Sequence, residues 1–173
     1  CAFAHFLQDG LKLTERAEYE FRAMDMGNIM HKVLESLIKE VNKEKLSLAE
    51  LSEEERDALA DRLVDEISAD YGNTILKSSA RNEYMIQRTK RMVRRTVWAI
   101  QKQLKSGEFE PEGVEVVFQG GRIDRVDTME TDDGKLYVRV IDYKTGNTSF
   151  DLVSLYHGLQ LQLMVYMNAA REE

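Results

Sequence analysis

Residues 120–146 read GGRIDRVDTMETDDGKLYVRVIDYKTG. Within them, Thr131-Asp132-Asp133-Gly134 is a polar, glycine-closed turn signal. Alternating apolar and polar residues flank it, from Arg122 to Val126 and again from Leu136 to Asp142. The spacing predicts two antiparallel strands joined by a tight turn. If the strands pair about Asp133, Asp124 and Asp142 oppose each other, with Cβ atoms roughly 5 Å apart. Lys144, two residues past Asp142, shares that sheet face. Opposed carboxylates repel, and a divalent cation between them removes the repulsion. Two acids and an ammonium on one face suit metal-dependent phosphodiester hydrolysis. The register is an assumption, since a slip of one residue sends each side chain to the other face.

Upstream of the hairpin, Val114 to Phe118 reads as a further strand, and Pro111 keeps that stretch out of the preceding helix. Downstream, Gly146 to Ser149 reads as a loop. Residues 151–170 then form a helix that is apolar nearly all round, which predicts burial on most sides. Its polar exceptions are His157, Gln160 and Gln162. Gln162 and Tyr166 stand four residues apart, so one face carries an amide and a phenol.

The first part of the chain reads as mainly helical. Residues 2–22 mix apolar and charged positions and suggest a short helix and a loop that pack against the rest. Ile29, Met30, Val33, Leu34, Leu37, Ile38 and Val41 form an apolar stripe at helical spacing over residues 26–43. His31 and Glu35 lie beside that stripe, and the plain reading is a boundary histidine paired with Glu35. Residues 44–71 are acidic. Ser52 with Glu55 forms a capping box, a helix runs to about Tyr71, and Gly72-Asn73 ends it. Its acidic side reads as a solvated face. Residues 81–105 form a long basic helix in which Arg81, Arg88, Lys90, Arg91, Arg94, Arg95, Lys102 and Lys105 stand against one acid, Glu83. With so few compensating acids, that face reads as a phosphate-tracking surface.

Composition bounds the rest. The 173 residues suffice for one domain with a real core. A net charge of −7 argues against a general polyanion binder, so nucleic-acid contact has to come from a local patch. The single cysteine excludes an intrachain disulfide. No apolar run approaches the roughly 18 residues of a membrane span. No signal peptide is evident, which makes a cytoplasmic protein the default. No GxxxxGK[ST] loop and no Ser-His-Asp or Cys-His arrangement stands out. The chain opens at Cys1 without an initiator Met and reads as an excised fragment of something longer.

Four short signatures follow in a fixed order: Gly27 to His31 (GxxxH), Gly121 to Asp127 (GxxDRxD here as GRIDRVD), Asp142-Tyr143-Lys144 (DYK) and Gln162 to Tyr166 (QxxxY). Together they resemble the RecB-type branch of the PD-(D/E)XK nuclease superfamily. The opening CAFAHFL narrows the resemblance to the AddB family, the second subunit of bacterial AddAB helicase–nucleases. That resemblance implies an α/β (α+β) fold in one domain. Residues 1–110 would be mainly helical, and residues 111–173 would hold the catalytic core, a small mixed sheet flanked by helices. The family's further strand after the last helix would be missing, leaving an exposed sheet edge open to dimerisation.

The resemblance also implies roles. His31, Asp124, Asp142 and the backbone carbonyl of Tyr143 would hold Mg²⁺ or Mn²⁺. Asp124, Asp142 and Lys144 would be catalytic, and Gln162 and Tyr166 would position the DNA strand or the lysine. Arg122, Arg125, Arg88, Arg91 and Arg95 would hold the DNA backbone. Cys1 would be the first of four ligands to a 4Fe-4S cluster, complete only in a full-length protein. The implied function is a DNA exonuclease domain in double-strand-break repair, acting on a single strand or unwound end beside an AddA-type subunit. It would cut the 5′-terminated strand and would have no ATP site of its own. The competing readings are a catalytically silent DNA-binding or scaffold module, and another RecB-like nuclease of phage or CRISPR-associated type.

Overall fold

The computed structural model describes residues 1–12, 23–70, 80–118, 121–144, 146, 149 and 151–172. Three helices make its core. Helix α2 (Ala23–Lys43) follows a four-residue α1 (Ala2–His5) and a π-turn at Phe6–Gly10. The stripe from Ile29 to Val41 is buried along α2 as its helical spacing requires. Helix α3 (Glu53–Asp70) starts where the capping box predicts. The Glu55 amide donates to Ser52 Oγ at 3.2 Å, and the Ser52 amide donates to Glu55 Oε2 at 3.0 Å. Helix α4 (Ala80–Lys105) contributes Val93, Val97, Ile100 and Leu104 to the same core. One polar clamp crosses it: buried Arg56 donates to Gln101 Oε1 at 2.9 Å, and Gln101 Nε2 donates to the Leu48 and Leu51 carbonyls.

The acidic face of α3 differs from expectation. Asp61 pairs with Arg94 and Asp65 with Lys90, so α3 and α4 neutralise each other across their interface. Charge counted along one helix could not reveal acids supplied by its neighbour.

Strands β1 (Glu110–Phe118), β2 (Gly121–Glu130) and β3 (Leu136–Ile141) form a sheet in the order β1-β2-β3. The sheet expected to be mixed is antiparallel throughout the described residues. β1 begins four residues earlier than Val114, and Pro111 is accommodated beside a register shift between Pro111 and Gly113. Asn42 Nδ2, near the end of α2, donates to the Pro111 carbonyl at 3.0 Å and ties the helical part to the sheet. In the hairpin, Arg125 pairs with Ile141 and Val126 with Val140, which is the register centred on Asp133. Among the described residues β3 is an edge strand, and Leu136, Tyr137 and Val138 are exposed on it.

The apolar helix over 151–170 is instead two helices, α5 (Leu152–Tyr156) and α6 (Gln162–Glu172). Gly158, at φ 74°, adopts the left-handed conformation that breaks the helix between them. The Asp151 side chain caps α5 by accepting from the Val153 and Ser154 amides. The predicted burial is not found. Tyr156 is 87% exposed and Leu159 77%, and only Tyr166 is inside. α6 covers β3 with one side, and among the described residues nothing covers the others.

At the other end, Phe3 and Phe6 are exposed rather than packed. The expectations for residues 13–22, for the helix end at Gly72-Asn73 and for positions 147–148 of the loop lie outside the described residues. No described helix is long and apolar enough to cross a membrane.

Leu37 is fully buried in α2. Leu37→Ala should destabilise the domain by about 2–5 kcal/mol. A urea titration should show this as a lower midpoint at unchanged slope.

Candidate active site

The register fixes what lies across from Asp124. On one side, Val114 pairs with Arg125 and Val116 with Ile123, which leaves Glu115 opposite Asp124. On the other, the last ladder pair is Arg125 with Ile141, so Asp142, one residue beyond the end of β3, faces Asp124. Three carboxylates therefore run side by side across three neighbouring segments.

Helix α2 delivers the imidazole. His31 Nδ1 is 3.4 Å from Asp124 Oδ1. The expected pairing of His31 with Glu35 does not form, because Glu35 is engaged by Lys39 one turn further on. One ligand atom each from His31, Glu115 and Asp124 lies within 4.8 Å of the others, close enough to share one cation. Glu115 Oε2 is buried with no hydrogen-bond donor, although the Arg122 guanidinium sits against it as an ion pair. Two carboxylates beside an imidazole nitrogen are a donor set that fits a hard or borderline divalent ion such as Mg²⁺ or Mn²⁺.

Glu115 is not among the residues that sequence reasoning singles out. A signal exists: it is the lone acid within Val114-Glu115-Val116-Val117, and mirroring it about the 119–120 step places it opposite Asp124. Its backbone adopts φ 53°, a left-handed conformation that a side chain disfavours and that clusters at functional sites.

Asp142 is nearby but outside that trio. Its Oδ2 holds Lys144 Nζ at 2.7 Å, and its Oδ1 accepts from Gln162 Nε2 at 3.1 Å. Gln162 in turn donates to the Tyr166 hydroxyl at 2.6 Å. Tyr166 stacks edge-on against Phe118, 5.6 Å between centroids. The amide and phenol of α6 are thus brought to Asp142. At Tyr143 the backbone amide donates to Asp124 Oδ2 at 2.6 Å.

The titrating groups respond to each other. His31 is raised above its ordinary value of 6.5 by its hydrogen bond to Asp124, against the lowering effect of burial. Burial pushes Asp124 upward, but His31, the Tyr143 amide and the charge of Lys144 outweigh it and hold the carboxyl low. Burial raises Glu115, partly offset by Arg122. Lys144 is raised chiefly by its hydrogen bond to Asp142 and stays an ammonium.

Arg125 corrects an expectation. It is fully buried, so it offers nothing to a DNA backbone. Its Nε and Nη2 donate to Asp127 at 2.6 and 2.7 Å, Nη1 donates to the Tyr143 hydroxyl, and Nη2 also reaches Gln103 of α4. The RxD of the hairpin is therefore an internal ion pair that grips the Tyr143 ring. Arg122 is 62% exposed and lies at the site through Glu115. Arg88, Arg91 and Arg95 are exposed on α4, apart from these contacts. Cys1 is free and exposed, and this chain offers one thiolate where a 4Fe-4S cluster takes four.

A family model described as the PD-(D/E)XK nuclease superfamily matches residues 1–173. The chain is 49% identical over 180 residues to the AddB subunit of the ATP-dependent helicase/deoxyribonuclease of Lachnoclostridium phytofermentans, covering 99% of this chain and 16% of that protein. Proteins of the same name match at 39% identity in Caldanaerobacter subterraneus subsp. tengcongensis (99% of this chain) and at 36% in Alkaliphilus metalliredigens (98%). The chain spans about 16% of the length of these curated relatives.

Asp127→Ala should cost about 3–5 kcal/mol by stranding the buried Arg125 charge, whereas an Arg125→Met/Asp127→Leu pair should be near neutral or stabilising. Denaturant midpoints compare the two. Without metal, the His31–Asp124 pair should stabilise most between their ordinary values of 3.8 and 6.5. The histidine's share is complete below 6.5 and lost as pH rises through its raised value. The aspartate's share is complete above 3.8 and lost as pH falls through its lowered one. Melting temperatures across pH should show that window, and His31→Ala should flatten its alkaline side.

Proposed function

The chain belongs to the PD-(D/E)XK nuclease superfamily, and from that premise we propose that the His31–Glu115–Asp124 cradle, with Asp142 and Lys144 beside it, hydrolyses phosphodiester bonds of DNA. One observation carries the reading. An imidazole and two carboxylates from three separate elements converge within 4.8 Å, with an ammonium held next to them on Asp142.

His31, Glu115 and Asp124 would hold a divalent ion, Mg²⁺ or Mn²⁺, with Asp142 at the rim. When bound, such an ion supplies Lewis-acid polarisation of the phosphate and lowers the pKa of a coordinated water. The chain's own groups do the rest. Asp124 is kept ionised by His31 and the Tyr143 amide, so it is ready to ligate at neutral pH. Lys144 is protonated and therefore acts as a charge rather than as a base. It orients the attacking water and offsets negative charge that builds on the phosphate. Gln162 fixes Asp142, and through it Lys144, while Tyr166 fixes Gln162. Arg122, exposed beside Glu115, is placed to hold a backbone phosphate.

The relatives' name extends the reading to a larger setting. In a protein of their length, this domain serves as the nuclease part of a helicase–deoxyribonuclease. It trims an unwound DNA end as an exonuclease, beside an AddA-type subunit, during recombinational repair of double-strand breaks. The strand it cuts is the 5′-terminated one.

Cleavage of linear DNA with Mg²⁺ or Mn²⁺ is the test. Asp124→Ala and Lys144→Ala should each remove activity while far-UV circular dichroism stays that of the folded parent. Glu115→Gln should weaken Mn²⁺ binding, read by calorimetry, by about 10-fold or more. Parent-like cleavage by Asp124→Ala or Lys144→Ala would refute the assignment.

A further inference from the structure

We infer that the outward face of α4 is a track for single-stranded nucleic acid. Tyr84, Arg88, Arg91, Arg95, Trp98 and Lys102 follow one another at steps of four and three residues, so they form one stripe along the helix. The stripe lies opposite the buried line Val93, Val97, Ile100 and Leu104. All six residues are exposed, Tyr84 at 58% and Trp98 at 46%.

Two facts set this face apart from an ordinary solvated one. First, the neighbouring cations on the flank, Lys90 and Arg94, are already neutralised by Asp65 and Asp61 of α3. Among the described residues, Arg88, Arg91 and Arg95 have no carboxylate partner. Arg91 instead lies over the Tyr84 ring, 5.9 Å from its centroid. Second, large aromatic rings stand among the cations on the side away from the core, where burial gives them no reason to be. Cations that track phosphates, interleaved with rings on which bases stack, are the chemistry that single strands require. A duplex keeps its bases stacked inside and could use only the cations. Tyr84 and Trp98 are about 21 Å apart along the helix axis, enough for successive bases to be held at both ends. In a chain of net charge −7, this is where a polyanion would be accepted.

The inference deepens the nuclease reading by naming how the strand is held, yet its test needs no cleavage. Trp98 is the only tryptophan, so it reports on its own stacking. The intact chain in EDTA is titrated with an oligothymidylate about 20 nucleotides long, a length above the usual single-strand site size. The expected result is saturable quenching of Trp98 fluorescence, with weaker response to a duplex of equal length and steep loss of affinity with salt. By anisotropy of labelled oligothymidylate, Trp98→Ala should weaken binding about tenfold, and Trp98→Phe should largely restore it. Arg91→Glu/Arg95→Glu should weaken it further and make the log–log salt dependence shallower by about two. These surface changes should leave the melting temperature in place. The inference is overturned if oligothymidylate leaves Trp98 fluorescence unchanged, if the stripe variants bind like the parent, or if polyglutamate competes as well as the oligonucleotide, which would mark an acidic-protein surface. Because the titration runs in EDTA and reads binding alone, its result is separate from the fate of the nuclease assignment.

Discussion

Three carboxylates abreast would repel one another, and each of these acids has its own nitrogen partner. Glu115 has Arg122, Asp124 has His31 and Asp142 has Lys144. Two of those partners come from the strands or their immediate continuation. The third comes from a helix that the sheet must pack against for other reasons. The arrangement sets the identity of the open position: a divalent ion entering it would take over from the imidazole the task of quenching the acids. An assembly balanced by one titratable ring is easily exchanged for one balanced by metal, whereas a fully paired arginine network would resist the exchange.

Much of this is readable in the letters. The turn at Thr131 to Gly134 fixes the hairpin register, and with it the alignment of Asp124 and Asp142. Capping and periodicity locate α2, α3 and α4 because those helices are amphipathic and bury one side against each other. Glu115 escapes because it needs a second mirror, across a link whose letters are less decisive than an Asp-Gly. Arg125 misleads because an arginine in a strand looks like a surface charge until its partner Asp127, two residues away, is seen buried beside it. Local spacing places both on one side of the strand but cannot say that the side is closed over by Tyr143 and Gln103.

The single helix expected over 151–170 fails for a different reason. Apolar content predicts that a segment wants cover, and says nothing about what provides it. Gly158 interrupts the segment, and only the Tyr166 side finds a place against Phe118 and Gly121. Most of the remaining apolar side chains are exposed. The acids of α3 and the cations of α4 teach the same lesson from the polar side. Each helix looks unbalanced by itself, and part of the balance, at Lys90 and Arg94, lies in the other.

Helix α2 carries both the innermost wall of the hydrophobic interior and the ring that meets Asp124. His31 is one position beyond Met30 and two before Val33, so its Cα is locked to side chains that have no room to slide. The imidazole can swing about its own bonds but cannot translate. Were an ion held here, fitting its radius would fall to the acids on the strands, above all to Glu115 on its left-handed backbone. The histidine is the anvil of the site, and the sheet is the part that yields.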